Sequence, residues 1–368
     1  MSAFDTVSVP LADRSYDIHI GEGLLARAGE ILKPLLKSRD LLVVWDSGVA
    51  SPHGEALLAV LQAAGFNARH HEIPAGEGTK CAEELVVLWD RLSDLRFGRD
   101  CAVLALGGGV AGDLVGFAAA SYLRGVDFVQ VPTTLLAMVD SSVGGKTGIN
   151  NDFGKNLLGA FWQPRVVLAD LGVLATLPDG ELVSALAEII KYGVIYDAEF
   201  FAWQEKNIGG LKNRDAAATA HAVRRSCEIK AAVVGADERE SGLREILNFG
   251  HTVGHAIENA AGYGTLRHGE AIAIGMVAES ILGLDRGTAW TRAEHNRLVA
   301  LIEVAGLPTR MPAGLALSTA QLLDAARSDK KARQGAVRYM LPTRIGEVVA
   351  VRLSDDEVAP ALHQIGSA

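Results

Sequence analysis

The apolar positions in the first half of the chain form short runs that alternate with longer amphipathic stretches. Residues 15–21 alternate apolar and polar side chains, a pattern typical of a strand with one buried face. Residues 41–46 and 102–106 are continuous apolar runs, as expected of strands buried on both faces. The other elements predicted here are strands at 68–73 and 128–131 and helices at 51–64, 80–95 and 110–120. This alternation predicts an α/β domain, Rossmann-like, with a mostly parallel sheet.

The pattern changes near residue 178, where helical periodicity takes over. Strand-like runs return only at 337–341 and 348–353, which indicate a small hairpin. The helices predicted in this half cover residues 181–195, 216–234, 243–261, 269–284 and 291–305. The sequence therefore predicts two domains, an α/β domain over residues 1–178 and a mainly α-helical domain over residues 179–368. Because ligands commonly bind between domains, we expect the active site in the interdomain cleft.

Composition fits a two-domain globular protein and limits the kinds of partner that it is expected to bind. The chain has 368 residues, 49% of them hydrophobic, which is enough for a sizeable core. Its formal net charge is -9 and no basic block occurs, so we expect no nucleic-acid partner. The three cysteines lie far apart and form no CxxC pair, which indicates reduced thiols. The sequence shows neither a secretory signal nor an uncharged apolar run of about 18 residues, so we expect a cytoplasmic protein without a membrane span.

A glycine-rich turn follows the predicted strand at 102–106. The sequence LALGGGVAGD contains G-x-G-x-x-G as Gly107, Gly109 and Gly112, directly before a predicted helix. In that context backbone N–H groups and a helix N-terminus can face a pyrophosphate, which favours nucleotide binding. The alternative is a strand-to-helix turn without a ligand. Asp46, at the end of an earlier strand, could offer a carboxylate to a ribose or could be a simple turn residue.

Two further segments concentrate polar and basic side chains. Residues 131–156 hold many hydroxyls and glycines together with Asp140, Lys146 and Lys155, and the two ammonium groups could reach phosphates or carboxylates. A polar surface loop is the alternative for that segment. Two adjacent lysines in SDKKARQG could close over an anionic substrate or could lie in a solvated turn. Both segments are therefore candidates for binding an anion.

Three histidines cluster in the stretch NFGHTVGHAIENAAGYGTLRHGE. His251 and His255 are four residues apart and would share one face of a helix, whereas His268 requires the chain to bend back. Glu188 lies on an otherwise apolar predicted helix, where burying a carboxylate is unfavourable unless it is paired or metal-bound. Two histidines with Glu188 would form the His₂Glu set of catalytic zinc sites, and spacing alone leaves open which two. The alternatives are three core histidines and a surface ion pair between Glu188 and Lys191.

Eight motifs occur in a fixed order along the chain. They are PAGEGTK, GGGVAGDLVGF, VPTTLLAMVDSSVGGKTGIN, GKN, AEIIKYG, LNFGHTVGHAIE, HGEA and DKK. This ordered set resembles the 3-dehydroquinate synthase family of sugar phosphate cyclases, over roughly residues 41–347. The resemblance implies conversion of 3-deoxy-D-arabino-heptulosonate 7-phosphate (DAHP) to 3-dehydroquinate and phosphate, in the shikimate pathway of aromatic amino acid biosynthesis. It also implies a lyase that uses NAD⁺ and a divalent metal, Zn²⁺ or else Co²⁺.

The resemblance also implies which residues bind the cofactors. The metal ligands would be Glu188, His251 and His268, which leaves His255 to transfer a proton. The implied NAD⁺ contacts are Asp46, Glu77, Lys80, Gly108, Gly109, Asp113, Thr133, Thr134, Lys146, Lys155 and Thr176. The α/β domain would therefore bind NAD⁺, and the helical domain would bind the metal.

Substrate contacts follow from the same resemblance. They are Asp140, Lys146, Lys155, Asn156, Lys191, Lys230, Arg244, Asn248, His255 and one of Lys330 and Lys331, of which we favour Lys330. Among these, catalytic roles are implied for His255, Lys146, Lys191, Arg244 and Asn248. Arg124 resembles an arginine that such enzymes lend to the site of the neighbouring subunit, which implies a homodimer.

Three other functions are alternatives. A related cyclase would act on sedoheptulose 7-phosphate or glucose 6-phosphate, but Asn156, Lys230, Arg244 and the DKK motif favour a substrate that bears a carboxylate. A metal-dependent polyol dehydrogenase of the glycerol dehydrogenase type would share the HGE motif, but the lysines of GGKTG, GKN and DKK suit a phosphorylated acid better than a neutral polyol. A non-catalytic nucleotide-binding protein would need neither the candidate metal ligands nor the basic residues that could bind an anionic substrate.

Overall fold

The chain folds into two compact units, and the computed structural model describes residues 4–240, 242–262, 264–329 and 337–367. The first unit comprises Met1–Leu177 and Thr219–Arg239, and the second comprises Pro178–Ala218 and Glu240–Ala368. The first break in the chain therefore lies where the sequence pattern changes. The second unit starts at Pro178, at the predicted boundary, and the first helix of the unit follows directly.

The segment Thr219–Arg239 corrects the predicted domain boundary. The sequence pattern places it in the second domain, but it groups with the first unit. The buried thiol of Cys227 donates to the carbonyl oxygen of Met138 at 3.3 Å. Lys230 Nζ donates to the backbone oxygen of Asp140 at 2.6 Å and to its carboxylate at 2.7 Å. An amphipathic pattern shows that a helix has a buried face, but it does not show which unit buries that face.

Strands and helices alternate through the first unit, and helices dominate the second. The strands are β1 (Asp5–Val9), β2 (Tyr16–Gly21), β3 (Asp40–Asp46), β4 (Asn67–Ile73), β5 (Ala102–Gly107), β6 (Asp127–Pro132), β7 (Lys146–Asn151), β8 (Gly154–Phe161), β9 (Val166–Asp170), β10 (Val337–Arg344) and β11 (Glu347–Leu353). The α-helices are α1 (Ala28–Leu32), α2 (Glu55–Ala63), α3 (Ala82–Asp94), α4 (Gly109–Ser121), α5 (Asp179–Ile195), α6 (Ala198–Lys212), α7 (Ala216–Ala236), α8 (His251–Ala261), α9 (His268–Asp285), α10 (Arg292–Ala305), α11 (Thr319–Asp329) and α12 (Asp355–Gln364). The sequence pattern does not predict β1, β7, β8, β9, α1, α6, α11 or α12.

Seven strands of the first unit form one sheet in the order β1-β2-β9-β6-β5-β3-β4. β1 pairs with β2 in the antiparallel sense, and the other pairings of this sheet are parallel. β7 and β8 form a separate antiparallel hairpin. The mostly parallel sheet and the helical second unit confirm the predicted fold class. Because β3, β5 and β6 are neighbours in the sheet, the residues that follow them meet at one edge.

Alternate residues of the central strands supply two hydrophobic cores, one on each face of the sheet. On β3, Leu42 and Val44 belong to the core that contains residues of α3 and α4. Leu41, Val43 and Trp45 belong to the opposite core, with residues of α1 and α2. A strand covered on both faces needs apolar side chains at every position, which is why β3 and β5 appear in the sequence as continuous apolar runs.

Helix α5 forms the interior of the second unit. Every side chain from Ser184 to Ile195 is buried, and Glu188 and Lys191 are the charged residues of that stretch. α5 packs against α6 and α9, and α8 packs against α9 and α11. None of the described helices has the length and apolar character needed to cross a membrane.

Residues 243–261 do not form the single helix that their pattern predicts. A 3₁₀ helix spans Leu243–Asn248, and α8 begins only at His251. Gly250 separates the two with a φ of 79°, in the left-handed region that glycine adopts without strain. The break places His251 at the first position of α8, and His268 is likewise the first residue of α9.

Candidate active site residues and metal site

The three predicted metal ligands converge in the second unit. Glu188 is fully buried in the middle of α5, and its Oε1 lies 3.3 Å from His251 Nε2 and 3.5 Å from His268 Nε2. One ligand atom from each of the three residues lies within 4.8 Å of the others. Two imidazole nitrogens and one carboxylate oxygen are the donors of many catalytic zinc sites. The structure therefore brings together the set that spacing along the chain left open.

The surroundings of Glu188 fit a bound cation. Both carboxylate oxygens are buried, and neither makes a hydrogen bond of acceptable geometry within the described chain. Oε2 forms an ion pair with Lys191, whose side chain is also buried. Buried carboxylate oxygens are normally hydrogen-bonded or bound to a metal, because leaving them without such partners is costly. A divalent cation between Glu188 and the two histidines would supply the missing contacts.

The pKa values of the two histidines in this set shift in opposite directions. Burial and the nearby Lys191 ammonium lower the pKa of His251 to about 4, so its ring is neutral near pH 7. Burial alone would also lower the pKa of His268, but contacts with Glu188 and Glu258 raise it to about 10. Burial opposes ionisation of Glu188, yet the Lys191 ammonium and His251 hold its pKa well below the usual range. His251 is thus ready to donate a lone pair, whereas a metal at His268 would displace a proton.

Glycines allow the ligand-bearing helices to approach at backbone distance. A Cβ on Gly269 would lie 1.8 Å from the carbonyl oxygen of Ser184, one turn before Glu188 on α5. A Cβ on Gly275 of α9 would lie 2.0 Å from the carbonyl oxygen of Gly250, directly before His251. Any larger residue at these points must push the helices apart. The positions of the three candidate ligands therefore depend on close helix packing.

His255 lies one turn after His251 on α8 and faces the same group. Its ring centroid is 5.2 Å from that of His251 and 5.9 Å from that of His268. A second set of possible ligand atoms consists of His255, Glu258 and His268, again within 4.8 Å of one another. The two sets share His268. The structure thus shows that all three histidines are neighbours, while Glu188 contacts His251 and His268.

Two other predicted residues of the second unit lie just before α8. Arg244 is 1% exposed within the 3₁₀ helix. Asn248 donates its side-chain N–H to Glu240 Oε1 at 3.0 Å. The sequence analysis did not identify Glu240 as a partner of the candidate residue Asn248, although its carboxylate lies only eight residues earlier in the chain. Lys330 and Lys331 lie outside the described residues.

In the first unit, the glycine-rich turn connects β5 to α4. Gly108 is the N-cap residue and Gly109 begins the helix. Asp46, at the end of the neighbouring β3, accepts the backbone N–H of Gly48 at 2.9 Å. A Cβ on Gly107 would lie 2.7 Å from Asp46 Oδ2, so only glycine fits there. Burial raises the pKa of Asp46, and backbone N–H groups of Gly48 and Gly108 partly offset that rise.

Hydroxyl groups line the same edge of the sheet. Thr133, directly after β6, has a buried hydroxyl without a hydrogen-bond partner in the described chain. Thr134 Oγ1 accepts the N–H of Ala137 at 3.1 Å. Thr176 contacts His53 Nε2 at 2.8 Å through its hydroxyl, a partner that the sequence analysis did not identify. The open N-terminus of α4 and the Thr133 hydroxyl are groups that a dinucleotide phosphate or ribose can satisfy.

Lys80 links α4 to the β7–β8 hairpin through two partly buried contacts. Its Nζ pairs with Asp113 on α4 and also donates to Asn156 Oδ1 on β8. Burial raises the pKa of Asp113, and the Lys80 ammonium partly offsets that rise. Glu77 accepts the side-chain N–H of Asn150 at 2.8 Å and lies 4.0 Å from Lys155 Nζ. These residues form one polar network, which the sequence showed only as separate motifs.

Replacing Lys80 with methionine is expected to destabilise the protein by about 3 kcal/mol, because it leaves the Asp113 carboxyl buried without its cation. The measurement is the unfolding midpoint of the protein without ligands. Adding Asp113→Asn to Lys80→Met removes the unpaired charge and should recover most of the loss. If Lys80→Met alone were as stable as wild type, the ion pair with Lys80 would not be needed to compensate for the burial of the Asp113 carboxylate.

The remaining predicted residues of the first unit lie in different local settings. Asp140 sits on a π-helical turn, Ala137–Ser141, and holds Lys230, which is 5% exposed. Lys146 is exposed at the first position of β7, so this part of the segment 131–156 is a strand and not the polar surface loop of the alternative interpretation. Arg124 is exposed in a 3₁₀ turn and has a φ of 67°. Lys146 and Arg124 are thus accessible, and Lys230 is held in place.

The amino-acid sequence matches two family models in tandem. Residues 70–184 match the model described as 3-dehydroquinate synthase N-terminal. Residues 185–332 match the model described as 3-dehydroquinate synthase C-terminal. The two matches meet inside α5, close to the break between the units, and together they cover most of the chain.

Solved structures of related enzymes resemble the whole chain. ValA, a 2-epi-5-epi-valiolone synthase from Streptomyces hygroscopicus subsp. jinggangensis 5008 with NAD⁺ and Zn²⁺ bound, is 33% identical, with a TM-score of 0.86 over 99% of this chain and 98% of that one. A 2-deoxy-scyllo-inosose synthase complexed with carbaglucose-6-phosphate, NAD⁺ and Co²⁺ is 24% identical, with a TM-score of 0.90 over 98% and 100%. Glycerol dehydrogenase from Schizosaccharomyces pombe is 16% identical, with a TM-score of 0.65 over 95% and 88%. The last two likenesses concern the fold alone. The tandem matches and the 33% identity to ValA confirm the resemblance carried by the motifs: the chain belongs to the 3-dehydroquinate synthase family of sugar phosphate cyclases.

Proposed function

We propose that this protein is a 3-dehydroquinate synthase, which converts DAHP to 3-dehydroquinate and phosphate in aromatic amino acid biosynthesis. The observation that carries the proposal is the convergence of Glu188, His251 and His268 beside Lys191, within a member of this family. Lys230 and Arg244 are 5% and 1% exposed. Lys230 pairs with Asp140, and two cations of such low exposure suit a substrate that carries both a phosphate and a carboxylate.

NAD⁺ and a divalent cation, Zn²⁺ or else Co²⁺, are the cofactors of this proposal. Support comes from ValA, which contains NAD⁺ and Zn²⁺. In this chain, the turn at Gly107–Gly109 and the Thr133 hydroxyl fit the nucleotide, and the Glu188 carboxylate with the two histidines fits the cation. When bound, NAD⁺ supplies reversible hydride transfer and the cation polarises the reacting hydroxyl, so no net oxidation results.

The residues of the chain would hold the substrate and move protons through five changes: oxidation at C5, loss of phosphate, re-reduction, ring opening and aldol closure. His255 is placed to transfer a proton, since its ring adjoins the rings of both histidine ligands. Lys191 would stabilise a developing oxyanion beside Glu188. Lys230 and Arg244 would bind anionic groups, and the departing phosphate can accept the proton lost from the neighbouring carbon. The main work of the protein is then to hold one conformer of the substrate.

A homodimer in which Arg124 completes the partner's site belongs to the same proposal. The side chain is exposed on a turn of left-handed backbone. Arg124→Ala and His251→Ala homodimers should both be inactive, but mixing them by co-expression should restore roughly a quarter of wild-type turnover, because half of the dimers would contain one complete site. Mixed dimers without activity would show that Arg124 acts within its own chain.

A related cyclase activity is the second candidate, because ValA is 33% identical. The test is phosphate release from three substrates, DAHP, sedoheptulose 7-phosphate and glucose 6-phosphate, each with NAD⁺ and Zn²⁺. The proposal predicts turnover of DAHP, which alone among them carries a carboxylate. Phosphate release only from one of the other sugars would move the protein to the related activity. Glycerol-dependent formation of NADH would move it to the polyol dehydrogenases.

A further inference from the structure

His268 makes two contacts with carboxylates through two different ring nitrogens. Its Nε2 lies 3.5 Å from Glu188 Oε1, on the side where the ligand atoms converge. Its Nδ1 lies 3.3 Å from Glu258 Oε2. An imidazole that coordinates through Nε2 retains a proton on Nδ1 and can donate it to a carboxylate. Glu188 thus lies beside the ring nitrogen that would bind the metal, and Glu258 lies beside the nitrogen that would keep its proton.

Glu258 comes from the helix that also carries His251. The two residues are seven apart on α8, which places them on one face two turns from each other. Glu258 is 8% exposed, so its carboxylate is largely removed from water, although the His268 side chain that it contacts is 32% exposed. α8 therefore presents one ligand at its start and, two turns later, a carboxylate that contacts the ligand from α9.

We propose that Glu258 is a positioning residue that fixes the tautomer and the ring orientation of His268 for metal binding. This inference rests on the proposed metal site. The second set of donor atoms, His255, Glu258 and His268, could instead be a metal site of its own. If both sets held a metal, the two metals would have to share His268, which requires a ring without any proton. Donation from Nδ1 to Glu258 needs no such ring, and carboxylate–histidine–metal arrangements of this kind are common.

The test uses the full-length apoprotein and Zn²⁺ or Co²⁺ alone, without NAD⁺ or substrate. Glu258→Ala should bind Zn²⁺ about 10–100-fold more weakly than wild type, measured by competition with a chelator. It should also alter the visible spectrum of bound Co²⁺. Glu258→Gln retains an oxygen that can accept from Nδ1 and should recover most of the affinity. Glu303 lies on α10, and its carboxylate is exposed. Glu303→Ala is therefore the matched control and should bind Zn²⁺ as wild type does.

Three results separate this inference from its alternatives. Wild-type Zn²⁺ affinity and an unchanged Co²⁺ spectrum in Glu258→Ala would overturn it. Two equivalents of Zn²⁺ in wild type and one in Glu258→Ala would make Glu258 a ligand of a second site and would also overturn it. Because no substrate is used, a Glu258-dependent Zn²⁺ affinity in a protein that does not act on DAHP would retain this inference and reject the proposed function.

Discussion

Replacing His251 with alanine is expected to remove the bound metal and abolish turnover together. His251 Nε2 lies 3.3 Å from the Glu188 carboxylate, and its lowered pKa keeps the ring neutral and able to donate. Structural zinc sites with four protein ligands bind zinc with about 10–16 kcal/mol, or roughly 2.5–4 kcal/mol per ligand, so the variant should bind zinc roughly 10²–10³-fold more weakly. The measurements are zinc per protomer after dialysis against a chelator and phosphate release from DAHP.

His255→Ala is the matched variant for this experiment, because its ring lies one turn along the same helix. It should retain a full equivalent of zinc and lose turnover, since His255 is proposed to transfer a proton. Full zinc content in His251→Ala would show that the ligand assignment is wrong. Loss of zinc from both variants would instead make the pair His251 and His255 the ligands, as the H-x-x-x-H spacing alone would suggest, and loss from His255→Ala alone would point to the set His255, Glu258 and His268.

Replacing Gly269 with alanine is expected to disrupt both stability and metal binding. The added methyl carbon would lie 1.8 Å from the carbonyl oxygen of Ser184, so α9 must move away from α5. Overpacking by one methylene usually costs about 1–3 kcal/mol, and a backbone atom cannot rotate aside as a side chain can. We expect a loss of at least about 3 kcal/mol, or roughly 6–12 °C in melting temperature for a unit of this size. His268 precedes Gly269 directly, so zinc affinity should fall as well.

Gly209→Ala is the control for this substitution. Gly209 lies inside α6, and a Cβ there would meet no atom within 4 Å. Alanine at such a position in a helix should stabilise the protein slightly, by up to about 1 kcal/mol. Unchanged melting temperature and zinc content in Gly269→Ala would contradict the view that backbone contact between α5 and α9 sets the position of His268.

The sequence pattern reveals the elements whose burial is uniform. β3 and β5 are covered on both faces, so their apolar runs identify them directly. The hairpin of β7 and β8 is harder to predict, because its sequences KTGINN and GKNLLGAF mix glycine, amide and charged side chains and follow neither period clearly. Helix α7 was predicted, but its place in the first unit depends on partners such as Asp140 that lie far away in the chain.

In the candidate metal site, too, spacing along the chain indicates only the neighbours on one helix, and the other contacts depend on how the helices pack. Spacing along the chain favours His251 with His255, because the i, i+4 relation is the local signal for one helix face. The structure brings His268 to His251 through the packing of α9 on α8, and Glu188 joins them from α5. Only the ordered motifs of the family indicated that combination from the sequence. Glu258, whose contact depends on the same packing, was not identified as a partner of His268.

The most direct test of the proposed function is to follow phosphate and NADH together while the Zn²⁺-loaded protein acts on DAHP in the presence of NAD⁺. We expect multiple turnovers of phosphate release with 3-dehydroquinate as the product and no net accumulation of NADH, because the hydride is returned within each cycle. NADH that accumulates in step with substrate consumption, or DAHP that releases no phosphate, would contradict the assignment of this protein as a 3-dehydroquinate synthase.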